Sequence, residues 1–336
     1  MILTPKVRKT LDIALRFSIA ILALSYLFYR IYSLPSKQIE VFFTLVINNK
    51  HFLLLSITLI ILMIINWGLE SFKWKLLISQ SEKISFGNAF QAILGGLAVS
   101  VFTPNRIGEF VGRVFILKKT DPLKAILLTI VGSFSQLIVT IAIGAAAFVV
   151  FAPRYITFLQ FNNSWLVTGF SISLVFISLL LIFIYFNISF LHRISILLPA
   201  KYQKQIQSSI DAIAGCPKHL LVLVFSISTL RYIVFSTQFY LAITLVGLSF
   251  SFWQCMIVIP IIYLMLVIIP TIALTEIGVR GSISVFVFGL VTVGQTLNAI
   301  DSLAIISAST LIWLLNIAVP SLAGVLVVFR LKFFRR

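Results

Sequence analysis

FGNAFQAILGGLAVSVFTPNRIGEFVGRVFILK, residues 86–118, sets charged residues in the middle of otherwise membrane-grade sequence. Residues 86–103 are apolar and small, Pro104 cannot continue a helix hydrogen-bond ladder, and 105–118 restarts as a second helix, so the stretch reads as a broken hairpin. Its second leg carries Arg106, Glu109 and Arg113, spaced to share one helix face. If that face met lipid at mid-depth, each charge would cost about 2.5–3.5 kcal/mol on insertion scales. The three side chains therefore face protein, water or a ligand.

Composition gives the class. A chain of 336 residues that is 60% hydrophobic and 10% charged, with mean hydropathy +1.12, has too few polar residues to make a soluble surface. Its apolar runs last about 20 residues or more, the length of a spanning helix, and lack the alternation of a membrane barrel. The fold class is an all-α polytopic membrane protein. The formal net charge of +17 would suggest nucleic acid in a soluble protein, but here the basic residues flank apolar runs and report topology instead. Cys216 and Cys255, with His51, His192 and His219, match no metal or redox spacing, so no cofactor is expected.

Six full spans are expected, at about 11–33, 52–72, 121–151, 164–190, 218–246 and 299–329, together with two interrupted hairpins at 86–118 and 251–289. The first run follows Lys6, Arg8 and Lys9, carries Asp12, Arg16 and Arg30, lacks a small-residue cleavage site, and reads as an uncleaved span. Residues 191–217 read as a short surface helix or a solvated loop. Glu70 and Arg231 are weaker site candidates near span ends, where snorkelling would explain them; Lys73, Trp74 and Lys75 read as the headgroup-level end of the second span. The termini, the region between the second and third spans, and the 191–217 loop are densely basic. The other side has Lys37, Lys50, Arg154 and Arg280, which places both termini in the cytoplasm, in a plasma membrane of bacterial type.

A weak internal repeat accompanies this order. Ser85-Phe86 leads to Pro104 as Ser251-Phe252 leads to Pro270, and the two prolines are 166 residues apart. Glu109 is followed at i+4 by Arg113, and Glu276 at i+4 by Arg280. A single membrane domain, 1–336, would then comprise halves of about 1–155 and 156–336. With three crossings each, the halves would be inverted, an arrangement that puts substrate sites near the bilayer midplane.

A helix restarting after Pro104 offers backbone N–H groups and a positive dipole end, with Thr103 and Asn105 as caps. Arg106 and Arg113 would add donors for phosphate or carboxylate, while Glu109 would pair with Arg113 or take a cationic headgroup. Pro270, Thr271 and Thr275 would break the second hairpin alike, ahead of Glu276 and Arg280. Arg106 has no counterpart there and reads as independent of the repeated pair. Gly95, Gly96, Gly108 and Gly112 thin the first hairpin for close backbone packing. The bland alternative is that the Glu–Arg pairs only fix helix positions.

TPNRIGEFVGR after a Gly-rich leg, with a second Pro-to-IGVR segment, resembles the membrane region of the lysylphosphatidylglycerol synthase family, including its stand-alone flippase-like members. The resemblance spans nearly the whole chain. Such proteins usually show Gly-Gly before the second motif and an acid after its Arg, whereas Thr275-Glu276 precede it here and Gly281 follows. It implies translocation of a lipid between leaflets. The partners expected are membrane lipids with anionic or aminoacylated headgroups, or lipid-linked glycans, and an enzyme partner is compatible. No segment here is polar and long enough for the family's aminoacyltransferase, so synthase activity is not expected. A headgroup-modifying membrane enzyme using Glu109 or Glu276, and a non-transporting scaffold, are the competing readings.

Overall fold

The computed structural model describes residues 36–47, 49–101, 103, 106–156, 164–188, 213–269, 276–292 and 297–329, with positions 14, 18, 21 and 25. The described residues are mostly helical and hold no strand. The helices are α1 Ser36–Ile47, α2 Phe52–Ile78, α3 Phe86–Ser100, α4 Gly108–Val114, α5 Pro122–Phe151, α6 Ser164–Phe186, α7 Lys218–Leu245, α8 Phe252–Ile268, α9 Glu276–Val291, α10 Ala299–Trp313 and α11 Val319–Val328. Two π-helical segments, Ala152–Ile156 and Leu314–Ala318, continue α5 and join α10 to α11.

Five of these elements are long and apolar enough to cross a membrane: Phe52–Ile78, Pro122–Tyr155, Trp165–Phe186, Lys218–Leu245 and Ala299–Val328. They coincide with five expected spans. The sixth, at 11–33, lies outside the described residues except for positions 14, 18, 21 and 25, and most of the 191–217 insertion, Pro104, Asn105 and 270–275 lie outside them too. The connector before the second span contains α1, which packs on α10.

Local chemistry explains where the hairpin legs begin. Ser85 caps α3 by accepting the Asn88 N–H, and Ser251 caps α8 in a reciprocal box with Gln254. Asp121 and Asn298 cap the spans that follow each hairpin, with Pro122 at the first turn of α5. Pro320 supplies no N–H to the turn before it, and the chain there takes the π-helical geometry of 314–318.

The helices pair in a regular way. α2 runs along α7, α3 lies against α11, and α8 lies against α5. Small residues set the last two crossings. A Cβ on Gly324 would collide with the carbonyl of Leu94 and approach Ala98, while a Cβ on Gly144 would meet Leu264 at 2.8 Å and the carbonyl of Pro260 at 3.2 Å. Leu94 and Pro260, like Ala98 and Leu264, are each 166 residues apart.

Candidate functional site

The first hairpin turns sooner than its sequence suggests. α3 ends at Ser100, and the returning helix α4 is a single short run from Gly108 to Val114, where 105–118 is expected. The Thr103 hydroxyl accepts the Gly108 N–H at 3.0 Å and donates to the Ser100 carbonyl at 3.0 Å, which knits the break together. Arg106 has φ +57°, a left-handed conformation that costs a residue with a Cβ about 1–2 kcal/mol. The two legs touch backbone to backbone: a Cβ on Gly112 would lie 2.7 Å from Gly96 Cα, and one on Gly96 would lie 2.9 Å from Arg113 Cγ. This contact fixes the height at which Arg113 leaves α4.

Arg113 points into the protein. Its guanidinium pairs with Glu109 one turn earlier, and its Nη1 donates to Glu70 Oε1 on α2 at 3.0 Å. Glu70 in turn receives Arg231 Nη1 from α7 at 2.8 Å and Lys73 Nζ at 2.7 Å, both on Oε2. One carboxylate thus gathers three cations from three helices. Glu70, Lys73 and Arg113 have side chains at most 4% exposed. Arg231 also lies over the Trp67 ring, 5.1 Å from its centroid, and donates through Nε to Asn66 Oδ1 at 2.8 Å.

These contacts correct the snorkelling assignment of Glu70 and Arg231, and the reading of Lys73 and Trp74 as a headgroup-level end. α2 continues to Ile78, and Trp74 is buried with its indole N–H on Thr129 Oγ1 at 2.9 Å. Sequence reasoning ranks Glu70 only as a weaker candidate because no motif surrounds it. The usable signal was an acid inside a continuous apolar helix, which needs a partner wherever it is buried.

From Asn66 a chain of amides leads away from the ions. Asn66 donates to Asn316 Oδ1 at 2.8 Å, Asn316 donates to Gln238 Oε1 at 3.2 Å, and Gln238 donates to the Leu59 carbonyl at 3.1 Å. Asn316 sits in the π-helical segment ahead of Pro320. Such segments are frequent at functional positions.

A second ion cluster joins the hairpins. Arg106 pairs across to Glu276 at the start of α9, and Arg280 Nη2 approaches the same Oε1 at 3.3 Å. Arg106 is therefore not independent of the repeated pair. Of the sequence-derived candidates, the structure gathers Glu109 and Arg113 at the Glu70 cluster and Arg106, Glu276 and Arg280 at the other. Thr103 stands at the break between α3 and α4, and Pro104, Asn105 and Thr275 fall outside the described residues.

Ions at such burial persist only where surrounding helices replace water as their solvent, which defines the class: a multi-pass helical membrane protein with an interior ionic site. The chain belongs to the family described as lysylphosphatidylglycerol synthase TM region, whose profile matches residues 13–324. Neither a curated protein nor a solved structure matches it.

Proposed function

We propose that the protein binds the anionic headgroup of a lipid at its interior ionic site and moves that lipid between leaflets. The observation that carries the reading is the charge count of the two clusters. Lys73, Arg106, Arg113, Arg231 and Arg280 face Glu70, Glu109 and Glu276, so among the described residues five cations meet three carboxylates and leave a formal +2. Uncompensated positive charge in a low-dielectric interior calls for an anion. The Nε of Arg113 and that of Arg280 are also buried without a hydrogen-bond partner, and both are donors only. Family membership supports a lipid as the source of that anion.

A transporter fits this site better than a headgroup-modifying enzyme. Each of these three carboxylates is engaged by at least one arginine, which favours the ionised form and works against a general-acid role. The reading extends to inverted halves in a bacterial-type plasma membrane with both termini cytoplasmic. The matched crossings of α3 with α11 and α8 with α5 support the halves, and the basic asymmetry of the sequence supports the orientation.

A leaflet-resolved assay tests the function: purified protein in liposomes should accelerate exchange of labelled anionic, aminoacylated or polyprenyl lipid. No acceleration with any of the three would reject transport. For orientation, in a background with Cys216 and Cys255 replaced, Gln80→Cys should label only from inside the cell and Ala299→Cys only from outside. Labelling from the same side would refute the inverted arrangement.

A further inference from the structure

We propose that Arg106 and Arg280 form a second anion seat, and that Glu276 is its resting occupant: this carboxylate holds the place which the monoanionic phosphodiester of a lipid headgroup takes on loading. The inference rests on the headgroup-binding reading and says how one part of that site is regulated. Glu276 receives guanidinium groups from two different hairpins on a single oxygen, Oε1. Two cations against one carboxylate leave this cluster one positive charge in excess, the charge of a phosphodiester. The Arg280 contact, at 3.3 Å, is longer than the 2.7–2.9 Å usual for a charge-assisted bond.

Two buried donors, one on α9 and one on α10, lack acceptors among the described residues. Arg280 Nε is buried and unpartnered, and so is the indole N–H of Trp313, whose ring packs in one cluster with Ile277, the residue after Glu276. A carboxylate has two oxygens. A phosphodiester offers two charged oxygens on a larger tetrahedral centre, with two ester oxygens behind them, and so reaches more donors from the same position. Access differs across the seat as well: the Arg106 side chain is 35% exposed, whereas Glu276 and Arg280 are 13% and 14%. An incoming anion therefore meets Arg106 first, competes with Glu276 for it, and parts the contact that ties hairpin to hairpin.

The test measures binding apart from transport. With purified protein in detergent and dihexanoyl phosphatidylglycerol as the probe, Glu276→Gln should bind the lipid at least tenfold more tightly than the unaltered chain. Adding Arg280→Gln should abolish the gain, and Trp313→Phe should reduce it severalfold. If Glu276→Gln does not purify as a monodisperse species, Glu276→Asp, whose shorter carboxylate draws back from Arg106, carries the same expectation. Equal or weaker binding by the folded variant would overturn the seat. Inorganic phosphate competing as well as the lipid would overturn its assignment to a headgroup. If the variant gains affinity while the unaltered protein moves no lipid in liposomes, transport falls and the seat stands. Lipid movement without the gain would overturn the seat and leave transport standing.

Discussion

The two ion clusters are built from the same residue types and differ in how they are closed. Around Glu70, three cations from α2, α4 and α7 surround one carboxylate, and Glu70, Lys73 and Arg113 are almost fully buried. Around Glu276, two cations share one oxygen, and Arg106 is a third exposed. A sealed cluster whose ions reach out to several helices acts as a keystone. A half-open one, with a strained backbone at its most exposed member, is suited to exchange partners. Glu109 and Arg113 thus belong more to the frame, and Arg106, Glu276 and Arg280 more to the working end.

The sharpest way to break this comparison is to neutralise each acid in turn. Glu70→Gln leaves the buried Lys73 and Arg113 and the partly buried Arg231 without their common carboxylate, and breaking a buried pair typically costs about 3–5 kcal/mol. Thermal unfolding and size-exclusion profiles should show a chain that is poorly folded, whereas Glu276→Gln should remain folded. Equal destabilisation would erase the distinction.

Arg113→Ala should come next, with a loss of about 3 kcal/mol, because it strands Glu109 and removes one cation from Glu70. Replacing Glu109 by Gln and Arg113 by Met together should recover part of that stability in the same unfolding assay. Lipid exchange should stay low if the pair also serves transport, and full exchange by this double variant would make the pair purely architectural.

Asn316→Ala probes the link between the ionic site and the amide chain. It leaves the Asn66 amide and Gln238 Oε1 without their partners and should cost about 1–3 kcal/mol, read by denaturation. At Arg106 the backbone and the side chain can be separated. Arg106→Ala loses the Glu276 pair but keeps a Cβ at φ +57°, while Arg106→Gly loses the pair and relieves the conformation. The glycine variant should be the more stable by about 1 kcal/mol, with both equally impaired in lipid exchange.

The smallest effect lies outside both clusters, at the turn that leads into the first hairpin. Burial works against the Glu82 carboxylate, but backbone N–H groups of Lys119, Lys118 and Thr120 and the Thr120 hydroxyl all donate to it, and together they hold its pKa below the ordinary 4.5. Its contribution is complete above that ordinary value and is lost as the pH falls through the lower, folded one. Glu82→Gln should therefore flatten the acid limb of the stability profile below about pH 4.5 and leave the Glu70 and Glu276 clusters intact.

How much of this was legible in sequence depended on distance along the chain. Five of the spans, the first interrupted hairpin, the i+4 Glu–Arg pairs and the thin glycine contacts follow from local composition and period. The serines that mark the repeat, Ser85 and Ser251, prove to be helix caps, a local role with a local signal. What sequence did not disclose was pairing across the chain. Glu70 meets Arg231 after 161 residues, and Arg106 meets Glu276 after 170. No periodicity specifies such a partner: Glu70 and Arg231 alone are compatible with span ends, and Arg106 and Glu276 alone with any partner inside the membrane.

Those separations carry a consequence for how the protein is made. Translation at about 5–20 residues per second delivers Arg231 roughly 10–30 s after Glu70, and Glu276 as long after Arg106. During that interval the first half must enter the bilayer with Glu70 held only by Lys73 and Arg113, and with the Arg106 guanidinium still waiting for its carboxylate. The nascent chain therefore needs a sheltered station at the insertion machinery until its second half arrives. A ribosome stalled before Arg231 should leave α2 and α4 held there, unable to diffuse away into lipid.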